Sequence, residues 1–143
     1  MRSAIIPCSK EKIWDREPWR RAVPASEAYI SELHILCREY AQTHYDSWFI
    51  LSAKYGLLAP TDLVPAFYDI TFDRPSDPVV SDEKLAEQIS RIHALEVGLL
   101  LPRDYANRVR VAFKEHGVVV HQPFAQMKDI GEIRDYLRDW RGH

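Results

Sequence analysis

Glycine is scarce in this chain. The five glycines, at positions 56, 98, 117, 131 and 142, form neither GxGxxG nor GxxxxGK(S/T), so a dinucleotide fingerprint and a P-loop are both excluded. Cysteine is scarcer still. Cys8 and Cys37 are too few for a disulfide framework and suit a reducing compartment. No CxxC, HExxH or HxH spacing occurs, so no dedicated zinc site is expected and no cofactor is implied. A cysteine-phosphatase loop requires arginine six residues after Cys8, and that position is Trp14. A GxSxG nucleophile elbow is also missing. Long hydrophobic runs are absent as well. The start, MRSAIIPCSK, is too briefly apolar for a signal-peptide core or a membrane span, and a cytoplasmic chain with no membrane partner is expected. The net charge of −2 gives no general attraction to polyanions, although Lys10 and Lys12, and Arg20 and Arg21, form local basic clusters.

What is present describes an ordinary globular domain. The 143 residues are 46% apolar and 28% charged. A chain of that length buries roughly two-thirds of its unfolded surface. One α/β domain spanning 1–143 is expected, with short apolar strands at 3–8, 47–53, 97–101 and 118–121. Ser26 is expected to cap a helix running to about Tyr45, whose buried face carries Tyr29, Leu33, Leu36, Cys37 and Tyr40. Ser81 opens a second helix with Leu85, Ile89 and Ile92 on one face. A third spans 104–116 and stops at Gly117, and a fourth begins near Met127 and buries Ile130, Ile133, Leu137 and Trp140. Two stretches read as loops, 9–25 and the proline-rich 57–81; a loop as long as the second is functional or mobile. Strands alternating with helices predict a four-stranded parallel sheet covered on both faces, a three-layer sandwich.

In such sheets ligands bind beyond the strand carboxyl ends. The polar residues gather there, at Pro7-Cys8-Ser9-Lys10, Ser52-Ala53-Lys54-Tyr55-Gly56, Leu101-Pro102-Arg103-Asp104 and His121-Gln122-Pro123-Phe124. Each candidate has two readings. Cys8 is a nucleophile if Lys10 or a helix end lowers its pKa, or a small side chain at a strand exit. Ser9 bonds a ligand or starts a turn; Lys10 and Lys12 grip phosphate or face solvent. Ser52 and Lys54 are a serine–lysine pair or, with Tyr55, contacts that position a ligand, or else members of a turn that Gly56 permits and Tyr55 packs. In the long loop, Asp69 orients water or stabilises positive charge on a sugar, or is a surface residue; Asp62 caps a turn, and Tyr68 binds ligand or pins the loop. His121 contacts a base or moves a proton, or is structural. The other five histidines, His143 among them, are assigned no chemistry. Trp14 and Trp19 stack on a base or cover apolar surface.

PCSKEK at 7–12, ILSAKYGLL at 50–58 and FYDITF at 67–72 together resemble one family, a largely uncharacterised bacterial and phage domain with a PCSxxK opening and a central SAKYGLL box. The opening is also similar to that of the uracil-DNA-glycosylase-like domain of archaeosine synthase. That resemblance implies a small three-layer glycosylase-type fold. It further implies a nucleobase pocket flanked by a motif after the first strand, here Cys8-Ser9-Lys10, and one after the last, here His121-Gln122-Pro123. The water-activating and histidine–proline–serine motifs of uracil-DNA glycosylases are not matched, so uracil excision from DNA is not expected. The expected function is an enzyme acting on a nucleobase or N-glycosidic bond of a nucleotide, modified nucleoside or nucleic acid. Asp69, His121 and Cys8 are its candidate catalytic residues. A non-catalytic nucleotide-binding module and a hydrolase using Cys8 or Ser52 are the rival readings.

Overall fold

The structure is a computed structural model that describes residues 1–142; His143 lies outside the described residues. Its central strand is β1 (Arg2–Pro7), paired in parallel with β3 (Ser47–Ser52) on one side and β6 (Glu96–Leu99) on the other. Strand β7 (Val119–His121) extends the sheet in parallel beyond β6. The four parallel strands are those expected, but the sheet has five. The fifth, β4 (Gly56–Leu58), runs antiparallel on the outer side of β3, giving the order β4-β3-β1-β6-β7. Its cause is local: Gly56 adopts φ 77°, a conformation that penalises a side chain, and reverses the chain directly after Ser52. Leu57 and Leu58 are thereby buried rather than left in a loop.

The two expected loops are also partly ordered. The first holds a short helix, α1 (Ile13–Arg16), and β2 (Val23–Pro24). The second holds β4 and β5 (Leu63–Val64), and β5 pairs antiparallel with β2 in a separate two-stranded sheet. The longest stretch without helix or strand among the described residues is 65–81.

The helix expected from Ser26 is two helices, α2 (Ala25–Ala28) and α3 (Glu32–His44). Tyr29 breaks it: the residue is extended, bridges to Lys12, and turns its ring into the core. Ser31, not Ser26, caps α3 by accepting the His34 amide. Ser81 caps α4 (Asp82–Arg91) as expected, and α5 (Arg103–Glu115) ends before Gly117. The last helix, α6 (Ile130–Arg141), starts three residues later than Met127, where Asp129 accepts the Glu132 amide. Ile133 and Leu137 are buried, whereas Ile130 is exposed.

Alternation along β1 explains the layers. Ala4 and Ile6 pack with Leu36, Cys37 and Ala41 of α3 and Ile133 and Leu137 of α6. Ile5 faces the opposite way, with Leu85 and Ile89 of α4 and Val109 and Phe113 of α5. Burying each such Leu or Ile stabilises the fold by about 1.5–3 kcal/mol. Among the described residues no helix is long and apolar enough to cross a membrane.

α3 is also tied to the exit of β1. His34 is fully buried, and its Nδ1–H donates to the Pro7 carbonyl at 2.8 Å, leaving Nε2 with no partner. Burial drives its pKa down to about 4 from the ordinary 6.5. The unfolded chain therefore takes up this proton below about pH 6.5, while the fold resists until about pH 4. Stability should fall as pH drops through that window. Urea midpoints compared between wild type and His34→Gln check this: the variant should lose part of the slope, and identical slopes would show that His34 does not contribute.

Candidate functional site

From β1 the chain crosses to β3 on one side, and after α4 it returns to β6 on the other. The loops leaving β1 and β6 diverge, which opens a crevice at this switch point. A cavity of about 510 Å³ lies there. The exit of β1 contributes Pro7, Cys8, Ser9, Lys10 and Lys12; Ala53 follows β3, and Pro102 and Tyr105 follow β6. The 65–81 loop adds Asp69, Thr71, Asp73 and Arg74, and the far wall is the start of α3 with Ile130 and Arg134 of α6.

Of the residues singled out in the sequence, Cys8, Ser9, Lys10, Lys12 and Asp69 meet on this cavity. Cys8 is partly buried, and desolvation raises its pKa above the ordinary 9.0 despite the Ala53 backbone and the Lys12 charge. A thiol held neutral is a weak nucleophile near pH 7. Ser9 Oγ donates to the Glu11 carbonyl, shaping the turn. Lys12 is buried; its Nζ donates to the Lys10 carbonyl at 3.0 Å and lies 4.5 Å from the Tyr68 ring centroid. Burial lowers the Lys12 pKa, opposed by Cys8, Asp69 and Asp15.

Ser52, Tyr55 and Tyr68 support the cavity from behind. Ser52 Oγ accepts the amides of Lys54 (3.2 Å) and Tyr55 (3.1 Å), so its own hydrogen is directed to Tyr68 Oη at 2.7 Å. Tyr68 Oη is bonded in turn to Tyr29 Oη. The ring of Tyr55 meets that of Tyr68 edge-on, at 5.3 Å between centroids. Burial raises both phenol pKa values of the Tyr29–Tyr68 pair. Ser52 is thus engaged in a turn and a buried hydroxyl cluster, and Lys54 is exposed away from the cavity.

His121 is not brought to the cavity. Strand β7 is three residues long and pairs with Glu96–Gly98, so His121 lies level with Ala4 rather than with the exit at Cys8. There its Nε2 is 3.0 Å from Glu96 Oε1, and Glu96 also pairs with Arg2. Trp14 is buried with its indole N–H on the Arg20 carbonyl, whereas Trp19 is 73% exposed. Asp62 caps a turn by accepting the Ala59 amide at 2.8 Å.

The structure adds residues the sequence reading passed over. Arg74 donates to Asp69 Oδ1 at 3.1 Å and to Asp77 Oδ2 at 2.8 Å, so the loop is clasped on itself. Tyr105 Oη donates to Asp73 Oδ2 at 3.1 Å and joins that loop to α5. Thr71, Asp73 and Arg74 follow Asp69 closely and were findable by continuing along the loop. Arg134 reaches the cavity from a helix near the other end of the chain, and no local pattern announces it. Among the described residues no group of three or more His, Cys, Asp or Glu is placed to hold a metal.

Tyr68→Phe leaves two buried hydroxyls short of a partner and should destabilise the fold by about 1–3 kcal/mol in urea unfolding. It should also speed proteolysis between 69 and 78; an unchanged midpoint and cleavage pattern would contradict the anchoring role. For Cys8, the rate of iodoacetamide labelling should still be climbing above pH 9, and a plateau near neutrality would reveal a thiolate instead.

The comparisons with known proteins agree on kinship. A model of a family of unknown function, DUF6884, matches residues 4–139. The chain is 37% identical over 139 residues to the uncharacterized protein YfjM of Bacillus subtilis (strain 168), covering 95% of this chain and 92% of that protein. No solved structure matches. With nearly the whole chain matched by both, this protein belongs to the DUF6884 family.

Proposed function

We propose that this chain is an enzyme acting on a nucleobase or its N-glycosidic bond, in a nucleotide, modified nucleoside or nucleic-acid end. The observation that carries this reading is a cavity of about 510 Å³ at the sheet's switch point whose loop wall brings two carboxylates, Asp69 and Asp73, together with lysine and arginine, while Glu32 lines the far wall. That volume lies within the usual range for small-molecule sites. Cleaving a glycosidic bond leaves positive charge on the sugar, and a carboxylate beside it stabilises that charge. A second carboxylate can take the proton of the attacking water. Asp69 is assigned the first role and Asp73, hydrogen-bonded by Tyr105, the second. Phe67, 48% exposed beside Asp69 on an adjoining depression, offers a face for a base to stack on.

The glycosylase-type fold belongs to this proposal. Helices cover both sheet faces, and the PCSKEK segment sits at the cavity where that resemblance puts a base-flanking motif. The second flanking motif does not follow, since His121 ends level with Ala4; His121 therefore has no role in this reading. One observation favours a non-catalytic binding module instead: Asp69 is already neutralised by Arg74.

Thermal-shift measurements against bases, nucleosides, nucleotides and short single strands test the proposal. A ligand at one hundred times its Kd should add about 2.7 kcal/mol, read as a raised Tm. Asp69→Asn should keep the shift but lose release of free base, followed by chromatography. Retained turnover in that variant would remove Asp69 from the chemistry. No shift across the panel would contradict the proposal as a whole.

A further inference from the structure

The charges lining the cavity do not cancel. Among its acidic residues, Asp69 is held by Arg74 and Glu32 by Arg138. Arg74 is likewise occupied, by Asp69 and Asp77. Among the side chains that line it, Lys10, Lys12, Arg74 and Arg134 outnumber Glu32, Asp69 and Asp73 by one, and three of those cations make no ion pair among the described residues. Lys12 is 3% exposed, and of its three N–H donors only one has an acceptor, the neutral Lys10 carbonyl. Arg134 forms no ion pair among the described residues, and its Nε is buried with no acceptor. Lys10 makes neither an ion pair nor a side-chain hydrogen bond among the described residues. Asp69 and Asp15 act on Lys12, and Glu32 on Arg134, through charge alone, and Asp73 is bonded by Tyr105, so none of these carboxylates meets the open donors directly.

An ammonium and a guanidinium nitrogen withdrawn from water are costly unless an anion meets them. Lys10 and Lys12 come from the exit of β1 and Arg134 from α6, so the fold assembles this cationic wall from opposite ends of the chain. The surplus does not extend further. The adjoining depression adds Glu11 and Asp15 to Lys10 and Asp69, and the one on the other side carries Asp73, Asp104 and Asp129 against Arg103 and Lys128. A polyanionic strand needs a cationic track along its length. Here the positive charge is confined to one compact place, which suits a single phosphate group. Arginine and lysine supply, respectively, a forked and a point-charge donor to phosphate.

Resting on the nucleobase reading of the cavity, we infer that its ligand is a free nucleoside monophosphate whose phosphate is held by Lys10, Lys12 and Arg134. A free nucleotide is thereby preferred to a nucleic-acid strand bound along its length.

Calorimetric titration of the whole chain with four probes tests this: common nucleosides, their 5′-monophosphates, ribose 5-phosphate, and a short single strand lacking a terminal phosphate. A monophosphate should bind at least about tenfold more tightly than its nucleoside, since one charge-assisted contact is worth roughly that factor. Lys10→Gln and Arg134→Met should each remove about that factor for the monophosphate and leave the nucleoside unchanged. Lys10 is exposed, so Lys10→Gln remains informative if Arg134→Met fails to fold. Equal affinity for nucleoside and monophosphate would overturn the inference while leaving the nucleobase reading intact. Ribose 5-phosphate binding as tightly as every nucleotide would overturn the nucleotide assignment together with the nucleobase reading, leaving only a phosphate site. Tighter binding of the single strand than of any monophosphate would overturn the choice of a free nucleotide.

Discussion

Tyr68 brings its hydroxyl between Ser52 and Tyr29 beneath the carboxyl edge of the sheet, and the cavity depends on that contact. The 65–81 segment has no helix or strand, and an unpinned segment of that length would gain much conformational entropy by leaving the surface. One buried phenol, bonded on both sides, holds it. The same Ser52 oxygen that meets Tyr68 also organises the turn into Gly56, so the β3–β4 reversal and the loop share one anchor. Asp69, next in sequence to Tyr68, is thereby set on the cavity. Arg74 then clasps Asp69 and Asp77, and Tyr105 ties Asp73 to α5.

This anchoring sits beside an electrostatic constraint. Lys12 lies over the Tyr68 ring and is nearly excluded from solvent, so the edge that positions the loop also confines a cation. Attraction to the ring offsets part of the desolvation. Cys8 shares this environment and responds in the opposite sense: desolvation favours its neutral form. In the proposed function the chemistry therefore falls to the loop carboxylates, and in the further inference binding falls to Lys10, Lys12 and Arg134. Neighbouring residues of PCSKEK divide the work between packing, turn formation and charge.

Much of this was legible in the sequence because it rests on local rules. Four short apolar runs are the four parallel strands, and Ser81 caps the helix it was expected to cap. Placing the site at strand exits, with the long loop after the second, found Cys8, Ser9, Lys10, Lys12 and Asp69 on one cavity, while Ser52, Lys54, Tyr55 and His121 do not line it. What escaped depends on register and tertiary contact. Tyr29 keeps step with the helical period of Leu33 and Leu36, yet it lies outside the helix because its hydroxyl reaches Tyr68. Gly56 marked a turn, but whether the chain after it pairs back is decided by where Leu57 and Leu58 are buried. His121 does end a strand, but that strand is too short and set too early in the register to reach the edge. Arg134 has nothing in its neighbourhood to mark it; only the packing of α6 on α3 brings it to the cavity.

The central claim is that ligand enters the crevice between the exits of β1 and β6. Amide chemical shifts recorded during titration with nucleoside monophosphates test it most directly. The account predicts perturbations concentrated at 8–12, 69–74 and 102–105, with the amides around Glu96 and His121 unmoved. Perturbations gathered around His121, Glu96 and Arg2, at the opposite end of the sheet, would contradict it.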